Sequence, residues 1–138
     1  MTDREPDQKP NIKNQNLDQK PKMDTKYRAF YLSIDIIKFV DKLDYKISTK
    51  VISEQLVKSV TSVGANMVEA RGSSSKREFL KFFEIALKSS QETKYWLAML
   101  KELLPEKKER LDNFIKEALE ITKVLSSSVL TMKGKKKL

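Results

Sequence analysis

The stretch Phe79–Leu104, FLKFFEIALKSSQETKYWLAMLKELL, decides the fold. Phe79, Ala86, Thr93 and Leu100 recur every seven residues. The pairs Phe82/Phe83, Ser89/Ser90, Trp96/Leu97 and Leu103/Leu104 keep the same spacing. Such a recurrence is the seam of a helix that packs against other helices. A half-buried strand would alternate with period two, and no part of the chain sustains that. The middle of the seam is small and polar, with Ser89, Ser90 and Thr93. In front of it, Ser75-Lys76-Arg77-Glu78 has the form of a capping box. It predicts a helix that starts after Ser75 and runs to about Leu103, with Glu78 reaching back to the cap.

Working outward, the break Gly72-Ser73-Ser74 separates this helix from an earlier one over Thr49–Arg71, with Ser48 as N-cap. Leu56, Val60, Val63, Met67 and Ala70 form its apolar stripe. Beside it runs a polar stripe of Gln55, Ser59, Ser62, Asn66 and Glu69, whose alternating steps of four and three keep all five on one face. Gly64 sits mid-helix, where glycine costs roughly 1 kcal/mol against alanine. Close approach of another backbone would account for it. A first helix is predicted over Arg28–Leu43. Its apolar residues, Phe30 and Tyr31 through Leu43, are wider than one stripe, which suits a second face turned to another subunit. Pro105 fits the first turn of a fourth helix, and Leu111, Phe114, Ala118, Ile121, Leu125, Val129 and Met132 continue its stripe to a stop at Gly134. Four helices with short links imply an all-α, antiparallel up-down-up-down four-helix bundle over residues 27–132.

The ends differ from this body. Residues 1–26 carry Pro6, Pro10 and Pro21 among Asp, Gln, Asn and Lys, and read as a disordered polar leader. Residues 133–138 form a basic tail, in which Lys133, Lys135, Lys136 and Lys137 repel one another and are expected to be unstructured without a polyanion. The chain of 138 residues has a formal net charge of +9, of which the leader supplies +1, the body +4 and the tail +4. The body is therefore only mildly basic. Cysteine and histidine are absent, which excludes thiol and imidazole catalysis, Ser-His-Asp triads and zinc sites built on those ligands. No apolar run is long enough for a secretory signal or a membrane span, and a cytoplasmic protein is expected.

The run Gln55 … Ser62-Val63-Gly64-Ala65-Asn66-Met67-Val68-Glu69-Ala70-Arg71-Gly72, followed by Phe79 … Ile85-Ala86-Leu87-Lys88-Ser89-Ser90-Gln91-Glu92, resembles a bacterial four-helix-bundle family. Its members were first noticed as open reading frames inside intervening sequences of 23S ribosomal RNA genes, and some are labelled S23 ribosomal proteins. Gln55, Ser62, Asn66, Glu69, Ala86, Ser89 and Glu92 match the family pattern in type and spacing, while Ala70 stands where a glycine is usual. A related fold is the accessory protein of diversity-generating retroelements, a basic pentameric ring that binds nucleic acid and a reverse transcriptase. The resemblance implies a homo-oligomer, with the pentamer as its model. It also implies a nucleic-acid partner, RNA favoured, and leaves room for a protein partner as an alternative.

Three groups of residues carry the functional expectation. Gln55, Ser62, Asn66 and Glu69, facing Ser89 and Glu92, read as a polar network that sets helix register. Glu69 and Glu92 alone, without histidine or aspartate, make a poor metal site. No metal, cofactor or catalytic residue is assigned. Arg71, Lys76, Arg77 and Lys81 surround the turn between the second and third helices and are candidate phosphate contacts. Lys133, Lys135, Lys136 and Lys137 are the clearest candidates, with salt-dependent, largely nonspecific binding expected. The aromatic residues fall mostly on seams, so no exposed stacking platform is expected.

Overall fold

A computed structural model describes residues 24–137. The elements in order are α1 (Thr25–Val40), α2 (Ile47–Arg71), α3 (Lys76–Leu103), a short 3-10 turn (Pro105–Lys107) and α4 (Lys108–Lys137). The described residues contain no strand. They form the expected antiparallel four-helix bundle, with α3 packed between α2 and α4 and with α1 against α2 and α4.

The bounds of α3 are those its sequence predicts. Ser75 Oγ accepts from the Glu78 N–H at 3.1 Å. Glu78 Oε1 accepts from Ser74 N–H at 3.1 Å, one residue earlier than a standard capping box places it. The start of α1 comes sooner than predicted. Asp24 Oδ1 accepts from Lys26 N–H at 3.0 Å, and the Asp24 carbonyl takes the N–H groups of Tyr27 and Arg28. That side-chain cap brings Thr25 and Lys26 out of the predicted leader and into the first turn; residues 1–23 lie outside the described residues. Helix α2 likewise begins before Ser48, because the Lys46 carbonyl already accepts from Lys50 N–H; no side chain caps it.

The lysine tail is the largest correction. Helix α4 passes through Gly134 to Lys137 instead of stopping, and Lys133, Lys135, Lys136 and Lys137 extend a helix rather than an open chain. The penalty for one helical glycine is about 1 kcal/mol. Lysines near a helix C-terminus interact favourably with its negative end and offset part of it. Lys133 Nζ also meets Glu84 Oε2 of α3 at 2.9 Å, which ties the last turns to the bundle.

Ile36, Leu56, Leu97, Leu100, Leu111, Ile121 and Leu125 form the fully buried centre of the core. Phe39 of α1 meets Phe114 of α4 edge to face, with centroids 5.4 Å apart. Arg28 of α1, only 3% exposed, grips Glu117 of α4 with two hydrogen bonds, Nε to Oε2 at 2.8 Å and Nη2 to Oε1 at 2.6 Å. That bond to Glu117 raises the Arg28 pKa further, against the opposing effect of burial. At the opposite end, Lys101 Nζ meets Asp112 Oδ1 at 2.6 Å and holds the Asp112 carboxyl below its ordinary range.

Candidate nucleic-acid interface

One end of the bundle collects the N-terminus of α1, the turn between α2 and α3, and the C-terminal turns of α4. Asp24 Oδ2 meets Arg71 Nη2 at 3.4 Å, so the start of α1 and the end of α2 lie side by side there. Arg71, Lys76, Arg77, Lys81 and Lys133 are all exposed at this end. The structure therefore brings together cations from three helices that the sequence separates by 62 positions. Side chains beyond Gly134 lie outside the described residues, but the helical backbone carries Lys135, Lys136 and Lys137 onward from the same place. Glu78 and Glu84 sit among the cations; Glu78 is engaged by Ser74 and Glu84 by Lys133.

A cavity of about 660 Å³ opens into this end. Ala70, Phe79, Leu80 and Met132 supply its apolar wall, and Arg71, Ser73, Ser74, Ser75 and Lys76 its polar side. Phe79 stacks on Phe83 with centroids 4.8 Å apart and planes 20° from parallel. Only Leu80 of the apolar wall's large side chains is well buried; Phe79 and Met132 are half-buried.

The polar network is real but narrower than the stripe suggests. Ser62 Oγ and Ser89 Oγ are 2.9 Å apart, and Asn66 Nδ2 donates to the Ser62 carbonyl at 2.8 Å. The Thr93 hydroxyl lies 3.1 Å from Ser59 Oγ and 2.8 Å from the Ser89 carbonyl oxygen, so its single proton serves one of the two at a time. Thr122 Oγ1 lies 2.9 Å from Ser90 Oγ and continues the hydroxyl layer into α4. Gln55, Glu69 and Glu92 are exposed and take no part in these bonds. At ~100° per residue, Glu69 stands about 80° farther round α2 than the buried Ser59. Glu69, the outermost member of the stripe, falls in solvent, and Gln55 is exposed although its angle lies between those of Ser59 and Ser62. Among the described residues, no group of three or more carboxylates could hold a metal ion.

One feature escaped the sequence reading, and another was only outlined by it. Arg28 and Glu117 are 89 positions apart, and nothing in their local sequence signals a pair. The outer side of α1, expected from its width of apolar residues, is the second feature, and its groove against α2 is what the sequence left unplaced. Tyr27, Phe30, Tyr31, Ile34 and Ile37 line a groove of about 610 Å³ with Thr61, Gly64, Ala65 and Val68 of α2. Tyr27 is 50% exposed and Phe30 55%, so these rings are not core, contrary to the seam assignment. Gly64 does meet α1 closely, as expected, yet a Cβ there would sit 3.6 Å from Ala29 Cβ, an ordinary contact.

The geometry defines a class: an antiparallel helical bundle registered by a hydroxyl layer, with cations gathered at one end. The sequence model of the 23S rRNA-intervening sequence protein family matches residues 22–127, and the chain belongs to that family. A crystal structure of a protein of unknown function from the S23 ribosomal protein family of Bacteroides thetaiotaomicron VPI-5482 has a similar fold. Its TM-score is 0.69 and its identity 27%, over 77% of this chain and 98% of that one. No curated protein matches this chain. No helix among the described residues is long and apolar enough to cross a membrane.

Proposed function

We propose that this chain is a non-catalytic, homo-oligomeric, nucleic-acid-associated protein of the 23S rRNA intervening-sequence type, acting in the cytoplasm. The observation that carries the reading is the gathering of Arg71, Lys76, Arg77, Lys81 and Lys133 at one end of the bundle, with the helical lysine run beyond them. Cations set on a folded end lose less freedom on meeting phosphates than cations on an open tail. RNA is the favoured nucleic acid, in keeping with the family. Copies joined in one assembly would present several such ends at once and strengthen binding through effective concentration.

The test is a titration of a generic RNA across a salt series, comparing the full chain with a chain ending at Met132. Binding at low salt should weaken steeply with added salt. Removal of the last lysines should reduce the log–log slope by up to about 3 on single strands. No binding by the full chain at low salt would overturn the proposal. A second reading, a scaffold or accessory subunit to another protein such as a reverse transcriptase, draws on the exposed apolar groove between α1 and α2.

A further inference from the structure

We infer that the cavity at the basic end receives a single unpaired nucleobase, so that the protein prefers single-stranded or bulged nucleic acid over continuous duplex. This rests on the nucleic-acid reading above and names the form of the partner. The cavity, about 660 Å³, is open to solvent and has the volume of small-molecule clefts. Its lining combines the two chemistries that a nucleotide needs, an apolar surface for a base and cations for a phosphate. Phe79, Leu80 and Met132 offer an apolar surface with an aromatic ring, Phe79, that is also stacked on Phe83. Arg71 and Lys76 line the same cavity, Lys76 one turn before Phe79 and Leu80 on the same face of α3, and no carboxylate lines it. A base stacked against Phe79 would leave its phosphate toward these two cations. The backbone N–H groups at the start of α3 are not what carries this, since the capping box uses those of Ser74 and Glu78. A duplex keeps its bases stacked inside and offers this wall nothing. A base already unpaired enters without the unstacking energy of a few kcal/mol.

Asp24 bears on the same site. It holds Arg71 at 3.4 Å in an exposed pair, and such pairs contribute at most about 1 kcal/mol. An incoming phosphate therefore competes with a weakly bound carboxylate. Asn at position 24 keeps the oxygen that caps α1 and removes the competing charge.

The experiment measures binding of the full chain to a single-stranded oligonucleotide, to the same length of blunt duplex, and to a single strand with abasic sites. A 2-aminopurine base reports stacking by its quenched fluorescence. The base-bearing single strand should bind at least five-fold more tightly than the abasic strand, as expected for one base–ring stack. It should also bind more tightly than the duplex. Phe79→Ala should remove the quenching and most of that advantage, Phe79→Trp should keep both, and Asp24→Asn should tighten binding. Equal affinity for the three ligands, or unchanged quenching with Phe79→Ala, overturns the inference and leaves the phosphate-binding reading standing. Absence of binding to all three overturns that reading as well.

Discussion

Glu117 accepts two hydrogen bonds from an arginine that has almost no contact with water. Removing the acceptor would leave a buried guanidinium without its counter-charge, which is far more damaging than losing both partners together. Glu117→Ala should therefore lower stability by about 3 kcal/mol in chemical denaturation. A double change to apolar residues, Arg28→Met with Glu117→Leu, should recover most of the loss. If the single change costs under 1 kcal/mol, the pair is not the clamp between α1 and α4 that its geometry implies. At this scale the sequence was a poor guide. Phe39 and Phe114 could be placed in the core from their stripes, but the partner of Arg28 depends on how α1 and α4 rotate against each other. No local spacing encodes that rotation.

Helices α2 and α3 show what spacing does encode. The recurrence of Phe79, Ala86, Thr93 and Leu100, with Ser75 as cap, gave both ends of α3 and its small polar layer. The polar stripe on α2 reads as one surface, yet only Ser59 and Ser62 bond to α3, while Gln55, at an angle between theirs, is exposed. For Glu69 the difference is angular: a few tens of degrees separate a buried hydroxyl from an exposed carboxylate, and type and spacing alone do not say where the edge of burial falls. Gly64 gives this scale its test. The neighbouring helix leaves room for a methyl group, so Gly64→Ala should gain helix propensity without a clash. Stability should rise by up to about 1 kcal/mol, seen as a melting temperature higher by a few degrees. A fall in melting temperature would mean that α1 and α2 approach more closely than this packing shows.

Across the whole molecule, the charge arithmetic changes meaning. The tail's share of the net charge was legible, but its place was not, because a lysine run alone gives no sign that α3 will anchor it through Glu84. The sequence also marked α1 as too apolar for a surface helix, and the structure turns Phe30 and Tyr27 outward over α2. If this groove is the seam between copies, light scattering during gel filtration should give a multiple of the 16.0 kDa chain mass. Phe30→Asp should then shift it toward a single chain, with helical content unchanged. A wild-type particle of one chain mass would refute self-association while leaving the basic end as a monomeric binding surface.

The antiparallel arrangement also governs how this protein can be handled. The start of α1 and the last turns of α4 both emerge at the basic end, beside the Phe79 cavity. A fluorophore attached at Lys133 would stand beside that cavity, and an acidic one would alter its local charge. The short link between Asp41 and Lys46, at the far end of the bundle, is the better attachment point. A label there would report on nucleic acid without standing in its way.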